Sequence, residues 1–366
     1  MASLYVASTE MFAGKSAVCI GVLDRARRDG HTIGYMKPVA TRLRPTDDDM
    51  RDADAEFIVA QFQLNHPLDR VVPVHYTRSM AERVLREQFP EGARRLREAF
   101  AAISRDCDLV VLEGTDTPEE GALLDLAMEQ VVEALDAPVL LVVRYKELRA
   151  LDAILLLQQR LGDRLLGVLL NQVEPTQQDH VRQRLTPFLE GRGIAVFGVL
   201  ADDAGLAQTT VADMHTYLGG QYIGSAAWKM RSVASLSVGA MGVEHARIYF
   251  ARNDQQAVIT GGDRDDLQLA ALETSTALLI LTGNTRPSPQ VIDRAEAAGV
   301  PIICVPDDTL STVDRASRIF GNVRITQRDQ MEHIARLLDA SVDFDRLYDM
   351  LGLVHNDTRF WSTEKE

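Results

Sequence analysis

Six short apolar runs, each followed by a helix-patterned stretch, limit what this chain can fold into. They read "LYVAS", "TIGYMKPV", "DLVVLEGT", "APVLLVV", "LLGVLLNQV" and "GIAVFGVL". Helical spacing of apolar residues marks 14–29, 81–104, 121–135, 148–161 and 176–190 between them, and a charged loop, 44–56, leads into another helix. A strand that is apolar on both sides must be covered on both faces, and the alternating helices supply that cover. The expectation is a mostly parallel sheet with helices on both faces. Near residue 205 the texture changes: 209–247 are richer in Gly, Ser and Met. Strand and helix signals then resume in "QAVITGG", "DLQLAALETS", "ALLILTG", "SPQVIDRAEAAG" and "VPIICVP", which imply a second, smaller α/β unit. The expected division is 1–204, 205–355 and a polar tail, 356–366.

The 366 residues, 46% of them hydrophobic, suffice for one large core or two medium ones. Lys and Arg total 39 against 53 Asp and Glu, a net charge of −14, which argues against nucleic acid or an anionic membrane as partner. Cys19, Cys107 and Cys304 lie far apart in apolar settings and form neither a metal spacing nor a disulfide framework, as in a reducing compartment. No basic-then-apolar leader or bilayer-length run stands out, so a soluble cytoplasmic protein is expected. His215, His245 and His333 lack partners at metal spacing and read as structural or solvated.

The first strand runs into "ASTEMFAGKSAVCIGVLDRARRDG", residues 7–30, where Gly14, Lys15 and Ser16 open a helix. A phosphate-binding loop needs this order. The first helical amides face the anion, Lys supplies a point charge, and Ser or Thr reaches Mg²⁺. The usual spacing would put a glycine at Thr9, and a loop one residue longer would put it at Ser8; neither is glycine. The competing reading is an ordinary helix start with an exposed lysine. Other strand ends add chemistry. Lys37 would stand beside the loop, and Thr41 could bond a substrate. Glu113 ends the third strand where a Mg²⁺-coordinating or water-orienting carboxylate belongs, and Asp54 could approach the same cation from the loop after the second strand. Asn171 ends the fifth strand with an amide able to pair with a purine edge. Each also has a plainer reading: solvated lysine, exposed acid or turn residue.

In the second unit, "ITGGDRDDL" places Gly261 and Gly262 after a strand and Asp263 and Arg264 before a helix. Arg264 could clamp a phosphate or carboxylate, with Thr282–Asn284 and Asp308–Thr309 as neighbouring polar turns of one effector crevice. The alternatives are tight turns held by an Asp–Arg pair, or a dimer contact. The stripes Leu269, Leu272 and Ile334, Leu337, Leu338 read as core or dimer surface.

"STEMFAGKS", "MKPVA", "LEG" and "LLNQV", in this order, resemble dethiobiotin synthetase and its relatives, among them the N-terminal domain of long phosphotransacetylases. "TVADMHTYLGGQYI", "VGAMGVEHARIYF" and "VITGGDRDDLQLAAL" followed by "LILTGN" resemble the DRTGG domain that follows it there. The resemblance implies a P-loop-type sheet and then a DRTGG-like domain. ATP would bind at Thr9, Glu10, Gly14, Lys15, Ser16 and Ala17 with Asn171 reading adenine. Mg²⁺ would sit at Ser16, Asp54 and Glu113, with Lys37 and Thr41 at the phosphate and substrate end. It implies a homodimer too. Ser8-Thr9-Glu10 stands where dethiobiotin synthetase has Gly-Thr-Asp, and Thr115, Asp116 and Thr117 replace a small Gly-rich stretch near its substrate. The expected function is therefore an ATP/Mg-binding regulatory or sensory protein with a small-molecule effector. One alternative is an ATP-dependent ligase of the dethiobiotin or cobyrinic acid diamide type, in which Lys15, Lys37 and Glu113 serve catalysis. The other is a scaffold with a degenerate loop. The chain stops soon after the DRTGG-like unit, so acetyl phosphate formation by it alone is not expected.

Overall fold

The computed structural model describes residues 1–11, 13–41, 43–45, 50–86, 91–145, 149–203, 209–317 and 328–354. The chain divides into two units: Met1–Asp203 together with Ile325–Glu366, and Ala204–Arg324.

The first unit is built on six strands: β1 (Ala2–Ser8), β2 (Ile33–Met36), β3 (Leu109–Glu113), β4 (Val139–Arg144), β5 (Leu165–Val173) and β6 (Val196–Ala201). They lie in the order β6-β5-β4-β1-β3-β2, all parallel, as the six apolar runs require. After β1 the chain crosses to the edge strand β2, returns through β3, and then continues on the far side of β1. The carboxyl ends of β1, β3 and β4 therefore flank a crevice at the switch in direction, where open α/β sheets bind ligands. Helices α1 (Lys15–Arg28), α2 (Ala53–Phe62), α3 (Gly92–Ile103), α4 (Met128–Leu135) and α5 (Arg149–Leu161) fill the connections.

Side chains alternate through the sheet. Tyr5, Ala7, Val110, Leu112, Leu141, Val143 and Val168 join one core with Leu96 of α3, Val131 of α4 and Ile154 of α5. Leu4 and Val6 alternate to the opposite, equally buried face. The helical stretch expected over 81–104 is two helices, Arg78–Leu85 and α3, with 87–90 outside the described residues. The stretch over 176–190 carries a π-helical turn at Val181–Leu185 just before Pro187. A proline there has no amide to give the regular ladder, and a wider turn accommodates the loss.

The second unit has its own five-stranded sheet: β7 (Gln221–Ile223), β8 (Ser235–Gly239), β9 (Gln256–Gly261), β10 (Thr276–Thr282) and β11 (Ile302–Cys304). Their order is β7-β11-β10-β9-β8, with only β7 antiparallel. Helices α6 (Val211–Leu218), α7 (Val243–Phe250), α8 (Asp265–Leu272), α9 (Pro289–Ala298) and α10 (Thr309–Ser317) cover two separate apolar cores. Thr210 and Asp213 form a reciprocal cap at the start of α6, a strong local start signal.

One expectation needs correction. The DRTGG-like unit was expected to run to 355, but α11 (Arg328–Ser341) and α12 (Phe344–Leu351) pack on the first unit. The buried residues Ile334, Leu338, Phe344 and Tyr348 form their inner face. Arg28 of α1 pairs with Asp339 at 2.8 Å, and the Tyr348 hydroxyl donates to Asp29 at 3.2 Å. Val342 forms an antiparallel bridge to Gly198, and the Asp343 amide donates to the Phe197 carbonyl at 2.8 Å, so this segment also covers the β6 edge. Glycine at 198 is required by the approach: a Cβ there would run into the Ser341 carbonyl oxygen. The tail expected over 356–366, and the boundary expected near 205, lie outside the described residues.

Candidate functional site

The crevice is built around the turn between β1 and α1. Gly14 takes φ 97°, a left-handed conformation that glycine adopts without steric cost. A Cβ at Gly14 would also collide with Nδ2 of Asn171, which donates to the Ala13 carbonyl at 2.8 Å. The end of β5 thus braces the loop through its amide side chain. The carbonyl of Gly14 accepts the first helical bond, from the Val18 amide. Among the described residues no side chain caps α1, a helix start of the kind whose amides can take up an anion.

Lys15 is buried at 6% exposure. Its ammonium donates to the Ser8 hydroxyl at 2.9 Å and pairs with Asp116 at 3.5 Å. Ser8 Oγ is 2.9 Å from the Glu10 carbonyl oxygen and 3.2 Å from that of Asp116, and donates its single proton to one of them. The Ser8 hydroxyl thereby ties β1, the loop and the 115–117 stretch together. Thr9 is half-buried and Glu10 exposed along the rim, while Ala17 follows in the first turn of α1.

Ser16 donates to Glu113 Oε1 at 2.7 Å, and the buried Tyr35 hydroxyl donates to Glu113 Oε2 at 2.6 Å. Burial, reinforced by the Glu113 charge, pushes the Tyr35 hydroxyl well above its ordinary pKa, so Tyr35 stays a donor. Lys37 is held by Asp52 at 2.8 Å, and the other Asp52 oxygen accepts from the Asp54 and Ala55 amides to cap α2. Burial works against the Lys37 charge, but Glu113, Asp52 and Asp54 together outweigh it and raise its pKa above the usual lysine range. Two ammonium groups and the Glu113 carboxylate thus share one buried region.

Thr41 donates to Glu120 at 3.2 Å, and the same Glu120 oxygen accepts from the Asp116 amide at 3.2 Å. Thr115 turns inward, its hydroxyl donating to the Thr117 carbonyl at 2.8 Å. The structure therefore brings together Gly14, Lys15, Ser16, Glu113 and Lys37, with Asn171 behind the loop and Thr41 and Thr115 on the neighbouring stretch. Asp54, at the start of α2, acts on Lys37 by its charge. In the sequence, Ser8 and Asp116 stand out only as departures from the family pattern and not as partners of Lys15, and Tyr35 and Asp52 were missed. For Asp52 a signal was present, since it stands directly before the helical run "ADAEF" as N-caps do.

The donor set suits a hard cation. A hydroxyl and a carboxylate oxygen already meet at Ser16 and Glu113, and Mg²⁺ commonly takes only one or two protein oxygens and completes its shell with phosphates and water. Among the described residues no cluster of three or more His, Cys, Asp and Glu side chains could hold a metal alone.

In the second unit the polar turns close on one another. The Gly262 amide donates to the Thr282 carbonyl, the Gly283 amide to Asp307, and the Thr282 and Thr309 hydroxyls bond at 2.8 Å. Arg264 pairs with Asp266 at 2.9 Å, and Asp263 beside it is exposed. His333 pairs with Asp203 at 2.7 Å, in the first unit. No helix among the described residues is long and apolar enough to cross a membrane.

Residues 2–210 match the family described as an AAA domain, and residues 213–319 match the DRTGG domain. Phosphate acetyltransferase of Nitratidesulfovibrio vulgaris is 23% identical over 367 residues, covering 94% of this chain and 51% of that protein. Phosphate acetyltransferase of Pseudomonas putida is 24% identical, covering 96% and 52%. The chain spans about half the length of these curated relatives. ATP-dependent dethiobiotin synthetase BioD of Pseudomonas aeruginosa is 32% identical over 185 residues, covering 48% of this chain and 79% of that enzyme. Among solved structures, the CBS and DRTGG domains of the regulatory region of Clostridium perfringens pyrophosphatase, complexed with diadenosine tetraphosphate, align over 42% of this chain and 74% of that one. The TM-score is 0.28 and the identity 16%.

Proposed function

We propose a function for a chain that belongs to the AAA domain family over residues 2–210, in its dethiobiotin synthetase-like form, and carries a DRTGG domain over 213–319. The first unit binds ATP with Mg²⁺ and serves a regulatory or sensory role, as an N-terminal part of the phosphotransacetylase kind. The observation that carries this reading is the 2.7 Å contact between Ser16, which follows the loop lysine, and Glu113 at the end of β3. It joins a hydroxyl and a carboxylate beside two ammonium groups, the combination that a magnesium triphosphate needs.

In this reading the amides of Gly14 to Ala17 and the Lys15 ammonium hold the phosphates, flanked by Thr9 and Glu10. Lys37 neutralises charge at their far end. Ser16 and Glu113, with Asp54, would hold Mg²⁺, which when bound neutralises phosphate charge and fixes its orientation. Tyr35 and Asp52 keep Glu113 and Lys37 in place, and Asn171 braces the loop or reads the purine edge. The second unit offers Gly262, Asp263 and Arg264 to a small effector. The whole assembles as a homodimer.

Isothermal titration of ATP-Mg²⁺ into wild type and Lys15→Ala tests the binding. A loss of at least tenfold in the variant supports it, since a charge-assisted contact to phosphate is worth about 1.5–3 kcal/mol; equal affinities refute it.

A second reading is favoured by the dethiobiotin synthetase match and by Thr41 and Lys37 at the crevice end: ATP-dependent activation of a carboxylate or carbamate. Lys15, Lys37 and Glu113 would then act in catalysis, chiefly by placing groups and neutralising charge. The bulkier, acidic Thr115–Thr117 stretch weighs against the dethiobiotin substrate. Phosphate release stimulated by an added carboxylate would favour this second reading; ATP binding without stimulated turnover would favour the sensor.

A further inference from the structure

None of the residues of the β1–α1 loop lines a second cavity, of about 1060 Å³ and open to solvent, which α3 borders. One helical face of α3 and the turn after it looks into this space: Arg95, Glu98, Ala99, Ala102 and Arg105. The alanines leave room in the middle, and the arginines stand at the two ends. Ten residues of helix separate them, a rise of about 15 Å. The facing wall carries Arg70 and the start of α2.

The charge of the lining resolves by its partners. Glu98 shares Arg94, at 2.9 Å, with Glu91, while Arg51 neutralises Glu56 at 3.1 Å and Lys37 neutralises Asp52 at 2.8 Å. Arg70, Arg95 and Arg105, all solvent-exposed, have no ion-pair partner among the described residues, and Asp69 and the half-compensated Glu98 are the remaining carboxylates. His75 also lines the space. A protein of net charge −14 thus gathers three uncommitted guanidinium groups around one cavity. Guanidinium groups favour bidentate contact with phosphate or carboxylate, and a volume of this size accommodates a metabolite rather than a single ion.

We propose that this cavity is a second ligand site, separate from the phosphate loop, which takes an elongated metabolite bearing anionic groups at both ends. Arg95 and Arg105 grip the two ends and Arg70 closes the site from the opposite wall. The Asp52 carboxylate is shared: it lines this cavity and holds Lys37 of the nucleotide crevice. A ligand here therefore touches the wall that positions Lys37.

The test uses the full chain carrying Lys15→Ala, which removes the phosphate-loop lysine. Inorganic tripolyphosphate and citrate are titrated separately, the first reporting phosphate and the second carboxylate recognition. Saturable binding of at least one probe is expected, weakened about tenfold or more by Arg95→Gln or Arg105→Gln and partly restored by Arg95→Lys. A thermal melt of each variant establishes that it is folded. Failure of both probes to bind, or binding that folded Arg95→Gln and Arg105→Gln leave unchanged, overturns the proposal. Neither outcome bears on the nucleotide reading, which stands or falls with Lys15.

Discussion

Lys15 is already engaged. Its ammonium leans on Ser8 and Asp116, so a phosphate arriving at the loop must compete with a carboxylate 3.5 Å away. Replacing that carboxylate by an isosteric amide removes the competitor without opening a cavity. Asp116→Asn should therefore tighten ATP binding several-fold, measured by titration calorimetry at fixed Mg²⁺; unchanged or weaker binding would mean that Asp116 assists the ligand. Asp52 carries the opposite expectation. It is 4% exposed, caps α2 and neutralises Lys37. Removing one partner of a buried pair leaves the other charge uncompensated, so Asp52→Ala should cost about 3–5 kcal/mol in denaturant unfolding. Lys15, Ser16 and Glu113 were legible in the sequence because motif order and strand ends place them without any tertiary knowledge. Asp52 was not singled out, because in "DDDMRDADAE" every acid looks alike until the helix start is fixed. Tyr35 reads as one more apolar strand residue, and its hydroxyl acquires meaning only when β3 is inserted beside β2.

At the level of elements, apolar runs sufficed for the six strands of the first sheet and for β9, β10 and β11 of the second, while β7 and β8 lie in the Gly- and Ser-rich stretch 209–247, whose short, half-polar strands carry little apolar signal. The destination of α11 and α12 was not available from the same signals. Amphipathic spacing at Ile334, Leu337 and Leu338 says that a face is buried, not which surface receives it. The receiving surface is set by α1, where Gly21 leaves room for Leu338, and by Arg25 and Arg28, which meet Asp339. The ion pairs are partly exposed and contribute little, about 0–1 kcal/mol each. The apolar contact should dominate. Leu338→Ala is expected to cost about 2–5 kcal/mol and Asp339→Ala less than about 1 kcal/mol. Urea unfolding of both variants checks this, and a larger loss for Asp339→Ala would contradict it.

Across the whole molecule, each unit owns its sheet and its cores. Calorimetry should resolve two unfolding transitions rather than one. Saturating ATP-Mg²⁺ should raise only the transition of the unit that contains α1. At a hundred times its dissociation constant the ligand adds about 2.7 kcal/mol to that unit. A single transition, or an equal upward shift of both, would count against independent units. A crystal structure of the full chain grown with ATP and Mg²⁺ tests nucleotide binding at the β1–α1 loop most directly. Triphosphate density is expected over the amides of Gly14 to Ala17, with Lys15 turned from Asp116 to the phosphates and a cation touching Ser16 and Glu113. Density elsewhere, or a loop in which Lys15 still rests on Ser8 and Asp116 beside an empty crevice, would contradict it.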